Sequence, residues 1–201
     1  MKLTTTTQVS ADGVMQANGP SKVDREAGFE RDGWALPHFD DESSRFVDEV
    51  FHRAGAFLFG RRTYEIFAPY WGAMGPGSGP IADALNMKPK YVASSTLTEP
   101  VWADTTVLSG DLAAAVRELK ARPGGELQVH SSGALIRWLL DNDLVDEMNL
   151  LVCPVVVGQG TRLFPQTGPD MALDLVESRA FPKGMTLQVY RPAGRSRYVT
   201  A

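Results

Sequence analysis

Short apolar runs rich in β-branched residues recur along the chain and alternate with segments in which apolar positions return every three or four residues. Alternation of these two periods marks an α/β chain with a largely parallel sheet. The runs predict strands at residues 3–9, 56–59, 91–94, 106–108, 127–130, 149–157, 173–178 and 185–190. Between them, Phe46, Val47, Val50 and Phe51 form one helical stripe, Leu112, Ala115, Val116 and Leu119 a second, and Leu135, Trp138 and Leu139 a third. The last two strands are separated by little more than "RAFPKG", so the alternation ends in an antiparallel hairpin at the sheet's edge. Two stretches, 17–41 and 71–80, follow neither period. Long irregular segments beside strand ends commonly wall a binding pocket, which makes both candidate walls.

Composition narrows the picture without changing it. With 201 residues, 43% hydrophobic and 22% charged, the chain suits one domain spanning residues 1–201. A net charge of -4, with no basic block and no interleaving of arginine and aromatic residues, argues against a nucleic-acid partner. The single Cys153 lies inside "NLLVCPVVVG", where a packed thiol is expected and an internal disulfide is impossible. That suits a reducing compartment. The first residues hold no apolar core of signal-peptide length, and no later run reaches bilayer-spanning length, so a cytoplasmic protein without a membrane partner is expected. His38, His52 and His130 do not stand at metal-ligand spacing, and no metal is expected.

Three corners where a strand feeds a helix or a turn carry the candidate chemistry. In "QVHSSGAL" a strand ends and a helix begins, so free backbone N–H groups attract an anion, Gly133 removes a Cβ that would block approach, and Ser131 and Ser132 offer hydroxyls. Either serine can also simply cap the helix, the commoner use of such a residue. In "FLFGRRTYEIF", Gly60 is followed by Arg61, Arg62 and Thr63, donors suited to phosphate oxygens, although a solvated basic turn reads the same way. In "YVASSTL", Ser94, Ser95 and Thr96 follow a strand. Ligands of open α/β sheets bind outside the carboxyl ends of strands, so three such corners together point to a dinucleotide. The G-x-G-x-x-G fingerprint is missing, since "VVVGQGTRLF" supplies Gly158 and Gly160 with no third glycine in register.

The segments "QVSADGVM", "LFGRRTYEIF", "KYVASSTL" and "GGELQVHSSGALIRWLLDNDLVDEMNLLVCPVVVGQGTRLF", in that order, resemble dihydrofolate-reductase-like proteins. The closest resemblance is to the C-terminal reductase domain of the bifunctional riboflavin-biosynthesis deaminase-reductase and its stand-alone relatives. It implies a three-layer α/β/α sandwich around a mixed, mostly parallel sheet of about eight strands. It also implies an NADPH-dependent oxidoreductase, with NADH open, that passes hydride to a small planar or imine-bearing substrate of pterin or ribosylaminopyrimidine type. Relatives of this kind are often dimeric, so a homodimer is expected. The zinc pattern of a deaminase is missing, which argues against the complete bifunctional enzyme.

The resemblance assigns roles by position. Gly60, Arg61 and Thr63 match the phosphate-binding turn, Ser94, Ser95 and Thr96 the segment beside the adenosine ribose, and Ser131, Ser132, Gly133, Ala134 and Leu135 the diphosphate corner. Val9, Ser10, Asp12 and Gly13 match the first-strand end that meets the nicotinamide and substrate, and Gly158 and Gly160 the last loop near the same ring. Two positions depart from the pattern: His130, where relatives carry glycine, and Ser95, where many carry an arginine suited to the extra phosphate of NADPH. For the proton, "HFDDESSRF" offers Asp40 first and Asp41 second, although each can merely cap the helix carrying Phe46. Trp34 and Trp71, in the two candidate walls, are placed to stack on a planar substrate or else to anchor their loops. The alternative from another class is a nucleotide-binding sensor or scaffold of the same fold without turnover.

Overall fold

In a computed structural model, which describes residues 1–199, eight strands form one sheet in the order β4-β3-β2-β5-β1-β6-β8-β7. The strands are β1 (Leu3–Ser10), β2 (Ala54–Gly60), β3 (Lys90–Ala93), β4 (Thr105–Leu108), β5 (Glu126–His130), β6 (Glu147–Cys153), β7 (Leu173–Ala180) and β8 (Thr186–Pro192). The first six pair in parallel, and β8 and β7 add an antiparallel hairpin. The helices are α1 (Lys22–Glu26), α2 (Asp41–His52), α3 (Arg61–Trp71), α4 (Pro80–Met87), α5 (Leu112–Ala121) and α6 (Gly133–Asp141). Among the described residues no helix is long and apolar enough to cross a membrane.

Strand alternation sends side chains to both faces, so each parallel strand feeds two cores. Phe57 and Phe59 of β2 join Phe46, Val50 and Phe51 of α2 and Tyr64 of α3, while Ala56 and Leu58 join Val116 of α5 and Ile136 and Leu139 of α6. Each fully buried aliphatic or phenyl side chain contributes roughly 1.5–3 kcal/mol, so both layers are held by the same currents of burial. The result is helices on both sides of the sheet.

Three elements differ from the pattern read along the chain. The strand expected over 149–157 ends at Cys153, because Pro154 has no N–H to donate and Val155, Gly158 and their neighbours turn back towards β1. The irregular segment 17–41 contains α1 and a short turn of 3₁₀ helix at Leu36–His38. The segment 71–80 is shorter than it looked, with Trp71 closing α3 and Pro80 opening α4.

Candidate active site

Because β1 to β6 run in parallel, the carboxyl ends of β4, β3, β2, β5, β1 and β6 open onto the same edge. The three phosphate-compatible corners therefore lie side by side. At the β3 end, Arg61, Ser94, Ser95 and Thr96 line a shallow cavity of about 390 Å³. Arg61 donates to Glu65 Oε1 at 2.7 Å and to Thr96 Oγ1, which holds its guanidinium at the rim. Ser94 Oγ accepts from the amides of Thr96 (3.2 Å) and Leu97 (3.0 Å), which shapes the turn. Ser109 and Gly110, after β4, complete the cavity. Sequence reading missed them, although a strand running into Ser-Gly repeats the signal of the other corners.

At the next corner, Ser132 is buried and its Oγ accepts from Gly60 N at 3.1 Å. It therefore ties the start of α3 to the start of α6 and is not a side-chain cap of its own helix. The first amides of α6, at Gly133, Ala134 and Leu135, belong to the turn that has no intrahelical acceptors. Thr63 is buried in the first turn of α3. At Gly133 the space a Cβ would take is filled by Met15 Sδ, so the glycine lets the segment after β1 pack against the start of α6.

His130 leaves the groove free. Its ring turns into the core and stacks on Phe51 with centroids 4.3 Å apart. Gln128 donates its amide to Val50 O (2.6 Å) and Glu126 Oε2 (2.8 Å), so its oxygen faces His130 Nε2 at 3.0 Å and accepts the proton there. Burial pushes the His130 pKa down to about 3, so the ring is neutral. The backbone departure falls one residue later, at Ser131, whose φ of +53° is the left-handed region that favours glycine.

The β1 end is organised around Asp12. Ser10 Oγ donates to Asp12 Oδ1 at 2.6 Å, and the amides of Val157 and Gly158 donate at 3.0 and 2.9 Å. Arg162 Nε donates to the Asp12 carbonyl at 2.8 Å. The bond from Ser10, with those two amides, lowers the Asp12 pKa to about 2. Asp12 was expected to meet substrate, but its carboxylate is occupied in tying β1 to the loop after β6. Gly13 makes the turn, with φ +81°. Val9 is buried in the core on the α6 side. Gly158 has φ +77°, and at Gly160 a Cβ would come within 2.7 Å of Phe29 Cε2, so this loop packs under the segment that follows β1.

Of the remaining candidates, Asp40, Trp34 and Trp71 make structural contacts. Asp40 is the N-cap of α2: its Oδ1 accepts from the amides of Glu42 (3.0 Å) and Ser43 (2.9 Å), and its Oδ2 from Lys183 N (2.9 Å). The Ser43 amide, foremost, holds its carboxyl below the usual range, the wrong direction for a proton donor. Asp41 is exposed in the first turn of α2, where it and Asp40 line a cavity of about 580 Å³ with Phe39, Arg45, Pro182 and Lys183. Trp34 is no stacking platform, since its indole is buried and donates to Gln16 O at 2.8 Å. Trp71 sits at the last turn of α3, where its carbonyl accepts from Asn86 at the end of α4, away from the edge that carries the corners.

The order of strands, the antiparallel hairpin and the helices on both faces define a dihydrofolate-reductase-like fold. Among solved structures the chain is similar to a protein named for riboflavin biosynthesis from Shewanella sp. PV-4, with a TM-score of 0.68 at 21% identity over 96% of this chain and 99% of that one. It is also similar to a pyrimidine reductase-like protein from Corynebacterium diphtheriae, with a TM-score of 0.64 at 14% identity over 96% of this chain and 92% of that one. The family model of the RibD C-terminal domain matches residues 1–187, and the chain belongs to that family. Two Bacillus subtilis proteins are related in sequence: YyaP, 26% identical over 78% of this chain and 82% of its own length, and YwjB, 23% identical over 78% and 84%.

Proposed function

We propose that the protein is an NADPH-dependent reductase that delivers hydride to a small planar or imine-bearing substrate. The observation that carries the reading is the shared edge: six parallel strand ends, with the Arg61 cavity at one end and the amides of α6 beside it. These groups fit a phosphorylated dinucleotide. A guanidinium with serine and threonine hydroxyls around a shallow cavity recognises a ribose phosphate, and a helix N-terminus recognises a diphosphate. Ser95 lacks the arginine that would read the extra phosphate from that position, and Arg61 supplies such a charge from across the cavity. When bound, NADPH supplies the hydride.

The chain's own residues bind and orient. Ser132 sets the spacing between the two helix starts, and Arg61 is pre-positioned by Glu65 and Thr96. Asp12 and Asp40 are both held ionised by their hydrogen bonds, so neither supplies the proton that accompanies hydride near neutral pH. The substrate lies on the β1 and β6 side, against the segment between β1 and α2, and its class follows the family, with pterin and ribosylaminopyrimidine compounds as precedents.

Titration with NADPH and NADH, followed by tryptophan fluorescence and by loss of the reduced cofactor across a panel of pterins, pyrimidines and imines, tests the reading. Saturable NADPH binding with oxidation on one compound class is the expected result. No binding of either cofactor would overturn it, and binding without oxidation throughout the panel would favour a nucleotide sensor.

A further inference from the structure

We infer that Asp24 is a positioning residue that fastens the wall of the groove to the phosphate-binding turn of α3, so that cofactor binding and closure of the wall are coupled. The inference rests on the reductase reading above and gives that site its moving part.

The two arginines that open α3 point to different jobs. Arg61 faces the cavity, whereas Arg62 Nη2 donates to Asp24 Oδ1 at 2.7 Å. Gln16 Nε2 donates to the same oxygen at 2.9 Å, and Ser21 Oγ donates to Oδ2. The other end of Gln16 continues the chain: its Oε1 accepts from Thr161 N at 2.9 Å and Thr161 Oγ1 at 3.2 Å. One carboxylate thus connects α3, α1, the turn after β1 and the loop after β6.

The Asp24 side chain is only 5% exposed, so its charge is withdrawn from water and Arg62 is the cation that faces it. Removing one partner of such a pair leaves an uncompensated buried charge, unlike the loss of a surface pair. The element it fastens cannot hold itself. Helix α1 has five residues, below the length at which a helix is stable on its own propensity, and its position comes from these bonds together with Phe29 in the core and Arg31 donating to Val157 O. The same segment carries Met15 over Gly133 and Phe29 over Gly160, so it covers the edge from the start of α6 to the loop after β6. Arg61 and Arg62 share one helical turn: a ligand that draws in the first acts on the anchor of the wall through the second.

Trypsin reads this directly, because Lys22, Arg25 and Arg31 all lie in the fastened segment. Without ligand, R62Q is expected to raise cleavage after these residues tenfold or more over wild type, and R62K to restore most of the protection. NADPH is expected to slow wild-type cleavage at least fivefold and R62Q cleavage less than twofold, and reciprocity requires R62Q to bind NADPH more weakly by a matching factor. A purely structural contact would leave the NADPH-dependent protection alike in both proteins. Should R62Q not fold, D24N, which keeps the carboxylate's shape without its charge, is read in the same way. Equal ligand-free cleavage of wild type and variant overturns the fastening, and equal NADPH protection overturns the coupling. Failure of NADPH to bind the wild type would sink the reductase reading and the coupling together, while the ligand-free comparison would still decide whether Asp24 fastens the wall.

Discussion

At the β3 and β2 end of the sheet edge, Arg61, Ser94, Ser95 and Ser109 surround an open cavity, whereas at the β1 and β6 end Ser10, Asp12, Gln16 and Asp24 are bonded to one another and to backbone amides. The residue types are alike, hydroxyls and charges after a strand, yet one set keeps hydrogen-bonding capacity for a ligand and the other has used it to join loops. A binding site needs polar groups whose alternative partner is water; a buried carboxylate with three donors already in place is scaffold. The difference teaches that the β3 and β2 end is pre-built and open, whereas the β1 and β6 end is shaped by loops that hold each other.

The largest expected effect breaks the comparison if it fails. Trp34→Ala should lower stability by about 3–4 kcal/mol in urea unfolding, the cost of removing a buried aromatic. A loss below about 1 kcal/mol would mean that the indole serves a ligand and not the core. Next is His130, a buried neutral ring with its folded pKa near 3 against 6.5 in the unfolded chain. The unfolded state binds the extra proton, so this contribution to stability is intact above pH 6.5 and lost as pH falls towards 3. Between pH 7 and 4.5 it should cost about 2–3 kcal/mol, and His130→Phe should flatten that part of the unfolding profile.

For Asp12, removing the carboxylate's charge by Asp12→Asn should cost about 2 kcal/mol, read from the denaturant midpoint at neutral pH. Its folded pKa of about 2 lies below the 3.8 of an unfolded chain, so the stabilisation is present above 3.8 and fades as pH falls through 2. At the open end, Arg61→Gln should weaken NADPH binding about tenfold, about 1.4 kcal/mol, while NADH binding changes less than twofold in calorimetry. Equal losses for both cofactors would move the extra phosphate elsewhere. The smallest effect sits between the ends: Ser131→Gly relieves a left-handed residue and should stabilise by about 0.5–1 kcal/mol, visible as a small rise in the unfolding midpoint.

Much of the frame was legible along the chain. The stripe of Phe46, Val47, Val50 and Phe51 became α2, and the runs around Phe57, Val92 and Val129 became strands of the predicted sheet. Helix α4 was hidden because its eight residues follow a Gly- and Pro-rich tract that reads as loop, and α1 because five residues make too short a window for a period. The bonding at the β1 end was not legible for a different reason. Asp12 bonds to Val157 and Gly158, and nothing local to residues 9–13 announces a partner so far along the chain.

Sequence by itself determined the α/β alternation, the closing hairpin and the three corners, because periodicity and turn chemistry are set by neighbours within a few residues. Tertiary structure alone decided that Arg61 faces the cavity while Arg62 turns to Asp24, that His130 points inward onto Phe51, and that Trp34 belongs to the core. Whether a polar side chain is free or spent depends on groups brought beside it by folding, and that is a property of the packed chain, not of any stretch of it.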